Sequence, residues 1–437
     1  MSDLKQIARE IFQRTLSSID IPATLERKLD RSGSRIRCGD AQIDLKEYER
    51  IVTIAFGKAA YAMASGLRCV LEPDFATGGI LVVPSAPPSP LPRFETFLAG
   101  HPVPTPASLA AAGAILKLLA TCDEKALVFF LISGGASALV EKPLYPDVSL
   151  EDVQALNRTL VTCGAPIDEI NAVRKHLSAV KGGRMAAAAP RAMKITLGVS
   201  DVPEGRESAL GSGPTLPDPT TVQDALRVIQ NYELTEKLPA SVRAKFDPRG
   251  PIPETPKAGE PAFARAHFQL LLGMHDLFHH AHQWAETAGC VTICDNATDD
   301  WPLQQAADFL LDQLAQLKAA NPTRSVAVIA DGELSSPVTG DGVGGRNSAF
   351  ALECVKKIAG KPIAVLSAGT DGVDGNSPAA GAVADGQTLD RARAAGLDPR
   401  HFFRRSDAYS FFKRLGDTIE TGPTGNNLRD LRILLSK

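Results

Sequence analysis

The chain has 437 residues, too many for one ordinary core, so two domains are expected. A net charge of −3 leaves no polybasic surface and argues against a nucleic-acid or membrane-surface partner. The 7 cysteines include no C-x-x-C pair and read as reduced thiols of a cytoplasmic protein without structural zinc. No apolar run is long enough to span a bilayer, and the N-terminus lacks a signal peptide's apolar core.

In chain order, Leu4, Ile7, Ala8, Ile11 and Phe12 fall on one face of an amphipathic helix. Ile51–Phe56 reads as a short buried strand, followed by Gly57-Lys58 and a helix of small residues. This turn delivers an ammonium group to a sheet edge, although it lacks the P-loop spacing and a lone lysine after a strand is ordinarily solvated. A second strand, Gly79–Val83, leads into a proline-rich connection, Pro84 to Pro106, expected to run extended over the surface. A helix over Ala107–Leu119 then feeds the continuous apolar run Ala126–Ile132, the pattern of a strand buried on both faces of a parallel sheet. It empties into Ser133-Gly134-Gly135, with Ser137 close behind. Such a turn places backbone N–H groups at the carboxyl edge of the sheet, where α/β proteins bind ligands.

Ser149 caps a helix running to Cys163-Gly164. The next segment carries Arg174, Lys175, His176, Lys181 and Arg184, and Gly182-Gly183 interrupts its helical pattern. Strand Ile195–Val199 ends in Ser200-Asp201, and Gly211-Ser212-Gly213 precedes a helix near Thr220. Phe246 to Pro261 is the clearest linker by composition and the expected domain boundary, giving lobes 1–250 and 251–437. Beyond it the expected elements are a helix Ala264–Ala288, strand Val291–Cys294, helix Pro302–Ala319, strand Ser325–Ala330, helix Asn347–Ile358 and strand Pro362–Ser367. A short apolar strand closes the chain and is a candidate to return to the first lobe. The whole reads as an α/β protein of two lobes, each a layered sheet with mainly parallel strands.

Glycine-rich loops with Ser, Thr, Asp or Asn recur at 133, 211, 344, 369 and 422, which points to a polyanionic ligand gripped by backbone amides. Asp201, Glu333 and Asp371 are carboxylates at sheet edges, suited to holding Mg²⁺ against phosphate oxygens. Lys58 and Arg346, each beside a glycine at a helix start, are the cations best placed to neutralise a migrating phosphoryl group. Two competing signals are weaker. Gly340 to Gly345 fits G-x-G-x-x-G, but the polar residues before it are no buried strand. His275, His279, His280 and His282 share an expected helix without an identifiable third metal ligand.

The blocks LISGGASALVEKP, NAVRKHLSAVKGGRMA, LGSGPTLPDPTT, GGRNSAFAL, LSAGTDGVDGNSPAAGA and TGPTGNNLRDL closely resemble the MOFRL-type glycerate kinases that phosphorylate the 2-hydroxyl. They occur in family order from about Phe56 to the C-terminus. The resemblance implies ATP and D-glycerate as substrates, Mg²⁺ as cofactor, and an active site in the cleft between two α/β lobes. It implies Lys58 and Arg346 as catalytic cations, with Asp201, Glu333, Asp371 and Asn427 as further site residues. Asp201 and Asp371 remain alternatives as base and as metal ligand. Ser133, Gly134, Gly135, Ser137, Arg174, Lys181, Gly211, Ser212, Gly213 and Gly345 complete the expected binding set, with the Ser133 loop assigned to glycerate's carboxylate. The family's usual GGE reads Asp331-Gly332-Glu333 here. No nucleic-acid or membrane partner is implied, and the expected state is monomer or homodimer. Family members have often been labelled hydroxypyruvate reductases. That NAD(P)H-dependent reading needs a true strand–GxGxxG–helix unit, and a mere anion-binding protein would leave the lysine, arginine and carboxylates without a shared purpose.

Overall fold

The computed structural model describes residues 4–200, 202, 205–247, 252–426 and 428–437. The chain divides into two compact units, one of residues 21–273 and one of residues 1–20 with 274–437. No helix among the described residues is long and apolar enough to cross a membrane.

The first unit is built on β1 (Arg50–Phe56), β2 (Thr77–Val83), β3 (Phe94–Leu98), β4 (Ala126–Ser133), β5 (Met193–Val199) and β6 (Ala266–Leu272). They form one sheet in the order β3-β2-β1-β4-β5-β6, parallel throughout. β4 is buried along its whole length, as its unbroken apolar run predicts. Its Val128, Phe130 and Ile132 pack with Ile115 and Leu119 of the helix Pro106–Leu119. Two strands depart from the expected elements. β3 lies inside the proline-rich connection, and β6 occupies the start of the expected helix Ala264–Ala288, whose helical part is Met274–Thr287. Both are outer strands of the sheet with incomplete burial, so neither carries the apolar signature of a central strand.

The basic segment also breaks up. Helix Ile167–Leu177 ends before the two glycines, and only Arg184–Ala187 resumes helical form. Gly182 and Gly183 donate their N–H groups to the carbonyls of Ser212 and Gly213 at 3.0 and 2.8 Å, joining two glycine loops backbone to backbone. The proline-rich stretch after Phe246 is fastened down where it is described. Buried Thr255 donates to Asp218 at 2.9 Å, and Asp218 forms a buried ion pair with Lys175 at 3.1 Å.

The second unit holds β7 (Val291–Asp295), β8 (Val326–Asp331), β9 (Ile363–Gly369), β10 (Gly381–Asp385), β11 (Thr418–Ile419) and β12 (Asp430–Ser436). Their order is β11-β10-β9-β12-β8-β7. Only β7 and β8 pair in parallel, and the other neighbours are antiparallel. The expectation of mainly parallel strands therefore holds for the first sheet and is corrected for this one, which is mixed. A parallel return needs a crossover element, and the chain between β9 and β10 forms no helix. The closing strand β12 enters between β9 and β8, so it belongs to this sheet and not to the first.

The first helix, Leu4–Ser18, lies with this second unit. It packs Ala8, Ile11 and Phe12 inward, and Ser18 Oγ accepts the indole N–H of Trp284 at 3.0 Å. Lys5 pairs with Asp417 at 2.9 Å. Phe12 is fully buried, so Phe12→Ala should cost about 3–5 kcal/mol. Hydrogen exchange should show that loss in β8, β9 and β12, while protection of β4 is unchanged.

Candidate functional site

In the first unit the strand order reverses between β1 and β4, a topological switch point where ligands bind beyond the carboxyl ends of open α/β sheets. Gly57-Lys58 follows one of these strands and Ser133-Gly134-Gly135 ends the other. The two turns are locked together. Lys58 donates its backbone N–H to the Gly134 carbonyl at 2.9 Å, and Ala59 donates to Ser133 Oγ at 2.9 Å. Gly57 has φ +129°, and a β-carbon there would run into the hydroxyl and carbonyl of Ser133, so this approach requires glycine. The exposed His101 ring packs over Gly135 beside the Lys58 side chain.

A second group lies behind this edge. Ser137 Oγ and Ser212 Oγ are 2.5 Å apart, and Ser212 donates to Asn171 at 3.1 Å. Gly211 sits against Ala136 and Ile132. Lys181 is buried; its ammonium pairs with Glu141 and donates to the Ser137 carbonyl at 3.0 Å. Burial pushes its pKa down against the attraction of Glu141. Arg174 donates to Asn157 at 2.8 Å, and burial lowers its pKa as well. Ser133, Gly134, Gly135 and Lys58 are thus brought to one edge, with Ser137, Ser212 and Lys181 linked behind it. Asp201, expected at the end of β5, lies outside the described residues.

In the second unit Arg346 opens the helix Arg346–Lys357 and is gripped from two sides. Its Nη2 meets Glu333 at 2.7 Å and its Nε meets Asp430 at 2.5 Å. Burial opposes its charge, but Asp430 and Glu333 outweigh that and raise its pKa. Gly345 abuts Asp374, a buried carboxylate that accepts the N–H groups of Asn347 and Ser348, both at 2.9 Å, and the Ser348 hydroxyl at 2.6 Å. This satisfies amides in the helix's first turn. Burial raises the Asp374 pKa despite those bonds. Asp371 is half-buried, and one of its oxygens accepts the Val373 N–H at 3.0 Å. Asn427 lies outside the described residues. Sequence reasoning missed Asp374 and Asp430, although each lies within a quoted glycine motif, Asp374 as its second aspartate and Asp430 as its one acidic residue.

Asp331, which stands where the family pattern has glycine, is fully buried, and neither carboxylate oxygen accepts a hydrogen bond from another described residue. Burial pushes its pKa up to about 6, against the pull of Arg429 and Arg432. A folded-state value above the unfolded one means that the native protein binds the extra proton. Stability is therefore expected to fall as pH rises from about 4 to beyond 6, by roughly 3 kcal/mol. In Asp331→Asn that fall should largely vanish, read from urea midpoints at about pH 4.5 and about pH 7.5.

The two weaker signals resolve as irregular loop and helix surface. Gly340 to Gly345 follows a non-strand segment, since β8 ends at Asp331, so the strand–glycine–helix unit of a dinucleotide site is not formed there. The histidines lie on helix Met274–Thr287, and no group of three or more metal-ligating side chains gathers among the described residues. Magnesium arriving with a nucleotide needs only one or two protein carboxylates, its other ligands being phosphate and water. Of the carboxylates expected to take that role, Glu333 carries the ion pair to Arg346, and Asp371 accepts the Val373 N–H.

Each α/β unit thus holds a fixed cation, Lys58 at the switch point of the first and Arg346 between carboxylates in the second. Residues 7–247 match the family model for a domain of unknown function, DUF4147, and residues 326–430 match the MOFRL family. The D-glycerate 2-kinase of Thermotoga maritima is 33% identical over 98% of both chains. A putative hydroxypyruvate reductase of Agrobacterium vitis is 36% identical over 99% of this chain and 94% of its own. The crystal structure of glycerate kinase from Thermotoga maritima superposes with a TM-score of 0.83, covering 99% of each chain. The chain belongs to the glycerate kinase family.

Proposed function

We propose that the protein transfers the terminal phosphoryl group of ATP to the 2-hydroxyl of D-glycerate, giving 2-phosphoglycerate and ADP. The observation that carries this reading is the near full-length similarity to a D-glycerate 2-kinase, together with Lys58 held at the switch point by the Ser133 turn. In the transfer, the 2-hydroxyl oxygen bonds to the terminal phosphorus as the bond to ADP's bridging oxygen breaks. Charge spreads over the phosphoryl oxygens, and fixed cations lower the barrier by meeting it there. Lys58 and Arg346 are assigned that role. Arg346 is oriented by Glu333 and Asp430, so its guanidinium needs little reorganisation. The Ser133 turn is assigned to glycerate's carboxylate. Asp371 would hold magnesium, which when bound neutralises phosphate charge. Asp201 is assigned the hydroxyl proton.

Lys58→Ala and Arg346→Ala should each lower kcat by about 100-fold or more in steady-state assays. Normal turnover by both variants would sink the site assignment. The product is identified by incubating enzyme, ATP, Mg²⁺ and D-glycerate with enolase and no mutase. Direct appearance of phosphoenolpyruvate is the expected result, whereas a phosphorylated product that enolase cannot use would indicate the 3-position. The reductase named among the relatives would instead oxidise NADH with hydroxypyruvate and leave ATP untouched.

A further inference from the structure

We infer that Asp299 and Arg429 are positioning residues that set the catalytic arginine through the backbone of Glu333. The inference rests on the role proposed above for Arg346. Asp299 follows β7 in a turn, and both of its oxygens are occupied. Oδ1 accepts the backbone N–H of Glu333 at 2.8 Å, and Oδ2 is held by the Arg429 guanidinium. Gly332, at φ +98°, passes so close that a β-carbon would lie 2.7 Å from Asp299 Oδ1. The carboxylate therefore cradles the turn that presents Glu333, whose Oε1 in turn meets Arg346.

Arg429 is itself unusual. Its backbone is left-handed at φ +93°, a strained conformation for a non-glycine residue. Its carbonyl accepts both the N–H and the hydroxyl of Thr370, at 3.0 and 2.7 Å, next to Asp371. Its side chain is only 9% exposed. One residue thus ties together the turn at 299, the Glu333 turn and the Asp371 loop, and its neighbour Asp430 holds the other side of Arg346. Both Asp299 oxygens are engaged within the protein, and the role drawn from them is to fix where Glu333 and Arg346 stand. Small misplacements of such groups cost large factors in rate.

The test is a double-mutant cycle in the full-length enzyme. Asp299→Ala should lower kcat roughly 10–100-fold with KM for ATP little changed. In an Arg346→Ala background the same change should cost no more than about 2-fold, because the group it positions is gone. Arg429→Ala should reproduce the Asp299→Ala loss, and the pair together should be no worse than either alone. Asp299→Asn keeps an acceptor for the Glu333 N–H and should give a folded protein with an intermediate loss, which serves where the alanine variant fails to fold. A lower Tm with unchanged kcat, or a loss that adds in full to that of Arg346→Ala, would overturn the inference. If Arg346→Ala alone kept full activity, the site reading itself would fail. An inactive Arg346→Ala beside a fully active Asp299→Ala would reject the positioning role alone.

Discussion

Gly57 lies against Ser133 with no room for a side chain between them, and the local geometry of the first unit follows from that contact. β1 and β4 pair in parallel from Arg50 opposite Ala126 to Phe56 opposite Ile132. Their buried apolar residues hold that register, because a slip of one residue would exchange the faces of every side chain. The register delivers the two turns to the same height. The Ser133 hydroxyl then takes the Ala59 N–H, and the Gly134 carbonyl takes that of Lys58. The place where the lysine side chain begins is thus set by core packing along a whole strand and not by any preference of the turn itself.

The second unit fixes its charges differently. β12 runs antiparallel between β8 and β9, with Leu431 opposite both Asp331 and Ala368. That single insertion puts Asp430 beside Arg346 and Arg432 beside the Gly332 turn. Arg432 is buried, donates to the carbonyls of Asp331 and Gly332, and has its pKa pushed down to about 10 by that burial. Buried charges are expensive unless each is paired or hydrogen-bonded. Here they share a framework in which Arg429 answers Asp299, and Arg346 answers Glu333 and Asp430. Asp331 sits within it without a hydrogen-bonding neighbour among the described residues, and burial raises its pKa.

The parts legible in the sequence were those encoded locally. Apolar-rich runs marked β1, β4 and β8, unbroken in β4, and the glycines after them marked the turns. β3 and β6 escaped because outer strands with partial burial need neither an apolar run nor strict alternation. The mixed sheet escaped because strand direction depends on what lies between strands and on where the last strand inserts. The residues around Arg346 were the hardest to read. Arg346 and Asp430 are 84 positions apart, and Arg429 and Asp299 are 130 apart, so no local period connects them. The arginine itself was visible in its glycine motif; of its partners, Glu333 was read as a metal-holding carboxylate and Asp430 was an aspartate of no assigned use.

Glycine content proved a coarser guide than it looked, because it reports backbone freedom and not the availability of donors. Every buried N–H must find an acceptor, and a donor already spent inside the protein cannot also grip an anion. Gly182, Gly183 and Gly213 give theirs to the carbonyls of Ser212, Gly213 and Leu210. Gly344 gives its own to Asn376, Gly345 to Ser348, and Gly369 to Ala380. These loops are glycine-rich because backbones approach one another there. Among the described residues no such bond is donated by Gly134, Gly135, Gly422 or Gly425 outside helices and strands. In the reading proposed above, Gly134 and Gly135 of the turn after β4 and Gly422 and Gly425 of the loop before β12 are candidates for such donors. The first is the turn that also carries the contact to Gly57 and the anchor for Lys58, so one register of β1 against β4 fixes both the lysine and these two glycines.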